Sequence, residues 1–106
     1  MYDEIVIPPG LDAVVIALCA DFSRRAEAIA LENLPYNVIM EYRFLNYRIM
    51  NAAVEIAGSR DAKLFIKDIG DNIGYADSEL WILSERAYKR RKKEVKDNIA
   101  RRLSLI

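Results

Sequence analysis

The sequence predicts an all-α domain built as a small bundle of four or five helices. Three observations predict it. Apolar residues recur in steps of three and four from Leu11 to the C-terminus, and Pro35, Gly58 and Gly74 fall between those runs. The composition, 53% hydrophobic and 30% charged, is that of a globular chain. At 106 residues there is enough chain for one core and none for a second, so residues 1–106 form a single domain.

Residues 1–10 carry no helical periodicity and read as an extended arm ending in a Pro-Gly turn, with room for a short strand pairing at Ile5, Val6 and Ile7. Residues 11–57 read as two long core or interface helices. The first, over 11–31, carries the stripe Leu11, Val14, Val15, Leu18, Phe22, Ala26, Ile29. Cys19 beside the stripe reads as a small core filler, and Arg24 with Arg25 as a solvated face. The second helix, over 36–57, is opened by Pro35 with Asn33 as a cap. Its main face is Val38, Ile39, Tyr42, Leu45, Ile49, Ala52, Ala53, Ile56, and Phe44, Tyr47 and Met50 lie elsewhere on its circumference. Apolarity that wide implies a nearly surrounded helix or a second face used by a partner subunit.

Gly58 and Ser59 close that helix and Asp61 caps a third over 62–73, with Leu64, Phe65, Ile69 and Ile73 inward. Gly70 permits close packing, and Gly74 ends the helix. A turn over 74–77 leads to a short helix over 78–83 anchored by Leu80, Trp81 and Leu83, with Trp81 expected in the core. Ser84 is a good N-cap, so a break there is expected in preference to one continuous helix over 78–102. After it the stripe restarts as Tyr88, Val95, Ile99, Leu103 and Ile106, with the Lys92 stem bridging its gap.

Charge is sorted along the chain. Residues 1–84 hold 7 Lys and Arg against 13 Asp and Glu, while residues 85–102 hold 9 against 3, so a formal net charge of zero conceals an acidic body and a basic C-terminal helix. Arg86, Lys89, Arg90, Lys93, Lys96 and Arg101 fall opposite the apolar seam of that helix. Cations gathered on one helix face are the electrostatic footprint of a nucleic-acid reader, because each neutralised phosphate releases condensed counterions.

What is missing excludes much chemistry. With no His, neither Ser-His-Asp triads nor His-containing zinc sites can form, and one Cys cannot build a thiolate zinc site or an internal disulfide. Asp68, Asp71 and Asp77 lack the alternating ligand spacing of a calcium loop, and Gly70 and Gly74 are not followed by the residues of a phosphate-binding loop. The longest apolar run, over 13–20, is too short to cross a bilayer and no cationic leader precedes it. These features predict a cytoplasmic protein that is not an enzyme, holds no cofactor or metal, and does not enter the membrane.

A turn followed by a short helix and a capped basic helix is the order of a helix-turn-helix reader, so residues 61–106 read as a helix-turn-helix-like unit whose basic C-terminal helix meets duplex DNA. The segment over 83–106, with Ser84-Glu85-Arg86, Tyr88, Lys89-Arg90-Arg91, and Ile99-Ala100 before Leu103, resembles the C-terminal helix of phage-encoded regulators of the ArpU type and of sigma-factor region-4-like proteins. The resemblance covers about the last 24 residues and implies a DNA-binding transcription regulator of prophage or mobile-element origin. Residues 1–57 would then serve as core, as a homodimer interface or as a contact for RNA polymerase. The alternative is a non-enzymatic adaptor or structural protein whose basic helix binds an acidic protein surface.

Overall fold

The computed structural model describes residues 9–106, and the expected arm and the pairing at Ile5, Val6 and Ile7 lie outside them, apart from Pro9 and Gly10. Those two open the first helix, α1 (Pro9–Ala20), where Pro is tolerated because first-turn N–H groups have no intrahelical partner. There follow α2 (Phe22–Leu31), α3 (Tyr36–Gly70), a 3-10 turn (Tyr75–Asp77) and α4 (Glu85–Arg102). The described residues contain no strand. Helices α3 and α4 form the main packing unit, and α1 lies across both.

The single helix expected over 11–31 is two helices joined at Asp21. Arg25 occupies the acceptor that the break leaves free. Its guanidinium Nη2 donates to the Leu18 carbonyl, the acceptor that the Phe22 N–H would use in an unbroken helix. Arg25 is also buried, contrary to the solvated face expected for it: its Nε donates to Asn46 Oδ1 at 2.7 Å, and Asn46 Nδ2 donates to the Phe22 carbonyl at 3.1 Å. Burial lowers the Arg25 pKa from its ordinary value. Arg24 is exposed and grips Asp21 through two hydrogen bonds, at 2.9 and 2.7 Å. Cys19 is buried core, as expected, and burial pushes its thiol up to about 12.

In α3 the backbone is non-helical at Gly58 (φ 80°, ψ 162°), a conformation glycine adopts without strain, so the helix bends there and resumes at Ser59 instead of starting at an Asp61 cap. Pro35 itself occupies the cap position of α3, and no side chain caps it. The helix ends at Gly70, earlier than expected, because Asn72 turns left-handed (φ 55°). Ile73 N then donates to the Asp68 carbonyl and Asn72 N to the Ile69 carbonyl, the paired bonds of a Schellman ending. Gly74 is extended and starts the 3-10 turn, so it does not end the helix. Gly70 does provide close packing: a Cβ there would fall 2.5 Å from Ala20 N and 2.7 Å from Ala20 Cα.

The core gathers Val15 and Cys19 from α1, Ile49, Ala52, Ala53, Phe65, Ile66 and Ile69 from α3, and Tyr88, Val95 and Ile99 from α4. The Tyr88 ring stacks on Phe65 with centroids 5.7 Å apart. Its hydroxyl donates to the buried Asp68 Oδ2 at 2.8 Å, and the Ser78 hydroxyl donates to the same oxygen at 2.5 Å. Ser78 Oγ accepts the Leu80 N–H in turn, at 3.0 Å, which directs Leu80 into the core.

No helix forms over 78–83. Leu83 N donates to the Leu80 carbonyl at 3.0 Å, closing a β-turn that leaves Trp81 and Ile82 at its two corner positions. Trp81 is accordingly 72% exposed and not the core anchor expected of it. Leu80 is the anchor, while the Tyr75 hydroxyl donates to the Leu83 carbonyl at 2.6 Å and holds the turn's far side.

Candidate nucleic-acid interface

Helix α4 starts where the sequence places it. Ser84 is extended (φ −65°, ψ 156°) and its Oγ accepts the Ala87 N–H at 3.1 Å, satisfying one of the first-turn donors. Tyr88, Val95 and Ile99 then face the core, and Lys92 fills the gap in the seam: its Nζ donates to the Ile73 carbonyl at 2.6 Å and sits 5.7 Å from the Tyr88 ring centroid. Burial lowers the Lys92 pKa.

The opposite side of α4 changes character halfway along. Arg86, Lys89, Arg90 and Lys93 are all exposed, at relative positions i, i+3, i+4 and i+7, so they share one face of the first turns. Beyond Lys93 that side closes. Asp97 and Ala100 are buried, and Lys96 reaches Asp12 of α1 at 2.8 Å with its side chain only 23% exposed. Arg101 is exposed at the far end of the helix. The structure therefore brings four of the six expected contact residues onto one open face and sets Lys96 and Arg101 apart from it.

Carboxylates temper this face. Lys89 Nζ lies 3.1 Å from Glu85, Arg90 Nε 3.9 Å from Glu94, and Lys93 Nζ 2.9 Å from the buried Asp97. Among the described residues Arg86 has no ion pair. The Lys89–Glu85 pair is solvent-facing, and a pair of that kind contributes about 0.2–1 kcal/mol, so a phosphate can displace it at little cost. Arg91 is turned away and donates to the Ile56 carbonyl at 3.1 Å.

Trp81 and Ile82 add a feature that helical periodicity conceals. They project from the β-turn immediately before α4, beside its exposed N-terminus. The signal for this was the spacing of Leu80 and Leu83, which suits the two ends of a turn as well as one face of a helix.

Among the described residues no group of His, Cys, Asp and Glu could hold a metal ion, and no helix is long and apolar enough to cross a membrane. The chain matches no family model, no curated protein and no solved structure.

Proposed function

We propose that the protein is a DNA-binding transcription regulator that sets the first turns of α4 against duplex DNA. The observation that carries this reading is the open face of Arg86, Lys89, Arg90 and Lys93 on a helix whose other side is core. Residues 84–93 hold six cations and one carboxylate, and the helix N-terminus adds a partial positive charge at the same end. An α-helix with its side chains is about 10–12 Å across, a size that the roughly 12 Å wide major groove admits.

In this reading the end of α3, the connection over 71–84 and α4 act as a helix-turn-helix-like unit with a long connection. Lys89 and Lys93 suit phosphates as point charges, whereas Arg86 and Arg90 have the planar fork that pairs with guanine O6 and N7. Trp81 and Ile82 supply apolar contact at the edge of the same surface.

The test is fluorescence anisotropy of a labelled duplex with the wild type and with a variant in which Arg86, Lys89, Arg90 and Lys93 are all Ala. Binding by the wild type, lost in a variant of unchanged helical circular dichroism, supports the reading. No duplex binding at low salt, with capture of an acidic protein surface through the same four residues, replaces it with the adaptor alternative.

A further inference from the structure

Helix α3 has a second face that nothing among the described residues covers. Tyr36, Met40, Phe44 and Tyr47 lie within about 80° of arc, and they are 77%, 40%, 65% and 67% exposed. Beside this stripe runs a groove lined by Met40, Glu41, Phe44, Leu45, Arg48 and Leu103. We propose that a second copy of this chain covers this face, the two α3 helices packing antiparallel with Phe44 near the twofold axis.

Charge placement selects the antiparallel arrangement. Glu41 and Arg48 are two turns apart and within about 20° of each other on one flank of the stripe. A twofold axis perpendicular to antiparallel helices sets each flank against its own copy. With Phe44 at the axis, Glu41 meets the partner's Arg48, and Arg48 meets Glu41 of the partner subunit, so each dimer gains two ion pairs. Met40 then packs on the partner's Tyr47, and the groove between Glu41 and Arg48 receives the partner's Phe44. A parallel pairing would instead put the opposite flank, with Arg43, between Glu41 and Arg48, where attraction and repulsion offset. In the antiparallel pairing Arg43 approaches the partner's Arg43, and Glu32, 3.8 Å from Arg43 in its own chain, offsets that repulsion.

The area is sufficient. A Phe or Tyr side chain buries roughly 150–250 Å², so the exposed parts of Tyr36, Phe44 and Tyr47 supply roughly 400 Å² per copy. With Met40 and the groove walls, two copies reach about 1,000 Å², the lower end of a specific interface.

Sedimentation equilibrium of the full chain tests this. The expected mass is twice 12.2 kDa at concentrations near 0.1 mM, with a dissociation constant in the micromolar range or below. Phe44→Glu should weaken association at least about thirtyfold, the loss of one interface hot spot, without changing the helical spectrum. Glu41→Arg should weaken it by setting two cations opposite each other, and adding Arg48→Glu should restore it. Arg48 also donates to the Arg102 carbonyl, so thermal unfolding of each variant is recorded to confirm folding. A wild type that stays monomeric overturns the proposal, as does a folded Phe44→Glu protein that remains dimeric. A folded double variant that stays as weak as Glu41→Arg overturns the antiparallel pairing.

Discussion

The Tyr88 hydroxyl donates to Asp68 across the α3–α4 interface at 2.8 Å, and this bond joins the first turn of the basic helix to the last turn of α3. Asp68 also holds Ser78, and Ser78 holds the Leu80 backbone, so one buried carboxylate organises the whole entry to α4. Burial, assisted by the bond to Asp68, raises the Tyr88 pKa from 10.0 to about 12.

A raised folded-state pKa gives stability that is complete below the unfolded value and lost as pH climbs through the folded value. Tyr88 should therefore cost the protein about 2 kcal/mol between pH 10 and pH 12. Tyr88→Phe should lose about 1–3 kcal/mol at neutral pH, where Asp68 forfeits a charge-assisted hydrogen bond, and should show a correspondingly smaller alkaline loss. Cys19 ionises over an overlapping range and is common to both proteins, so the difference between their urea midpoints at pH 8 and pH 11 isolates Tyr88. Parallel loss in both proteins would contradict this assignment.

Gly70 and Gly74 should respond in opposite ways to Ala. Helix propensity favours Ala by about 1 kcal/mol at most, but a Cβ on Gly70 meets the backbone of Cys19 and Ala20, which cannot move without shifting α1. Overpacking of this kind costs about 1–3 kcal/mol, so Gly70→Ala should lower the melting temperature. Gly74 has open space around it and negative φ, and Gly74→Ala should be neutral or slightly stabilising.

Trp81→Ala should change stability by no more than about 0.5 kcal/mol, as at other exposed sites, yet weaken duplex binding. Thermal melts and anisotropy on the same preparation check both. A large stability loss would mean that the turn holding Trp81 outward does not persist in solution.

Local signals were legible in the sequence and long-range partners were not. The stripe of α3, that of α4 as far as Leu103, the Ser84 cap, the buried Cys19 and the close approach at Gly70 follow from spacing and side-chain type alone, whereas Ile106, expected in the α4 stripe, lies past the helix end and is exposed. Arg25 departs from its expected solvated face because its acceptor, Asn46, lies 21 residues away, and nothing local announces a neutral partner for a buried cation. Lys96 sits at a helix position equivalent to Lys89 and Lys93, and only the passage of α1, with Asp12, encloses it. Trp81 departs from its expected core position because residues 80–83 suit a turn and a helical turn alike, and the Ser78 bridge to Asp68 decides between them. The open face of α4 was therefore legible in its first half, where solvent surrounds it, and not in its second, where the fold does.

Duplex affinity as a function of salt tests the proposed α4 interface most directly. If Lys89 and Lys93 engage phosphates while Arg86 and Arg90 read bases, log K should fall against log salt with a slope of about −2, each phosphate contact contributing about 0.9. Removing a lysine should flatten the slope by about that amount on every sequence, whereas removing an arginine that reads a base should cost about 1–3 kcal/mol on the preferred site alone. Absence of affinity at low salt, or a slope that survives replacement of all four residues by Ala, would contradict the interface.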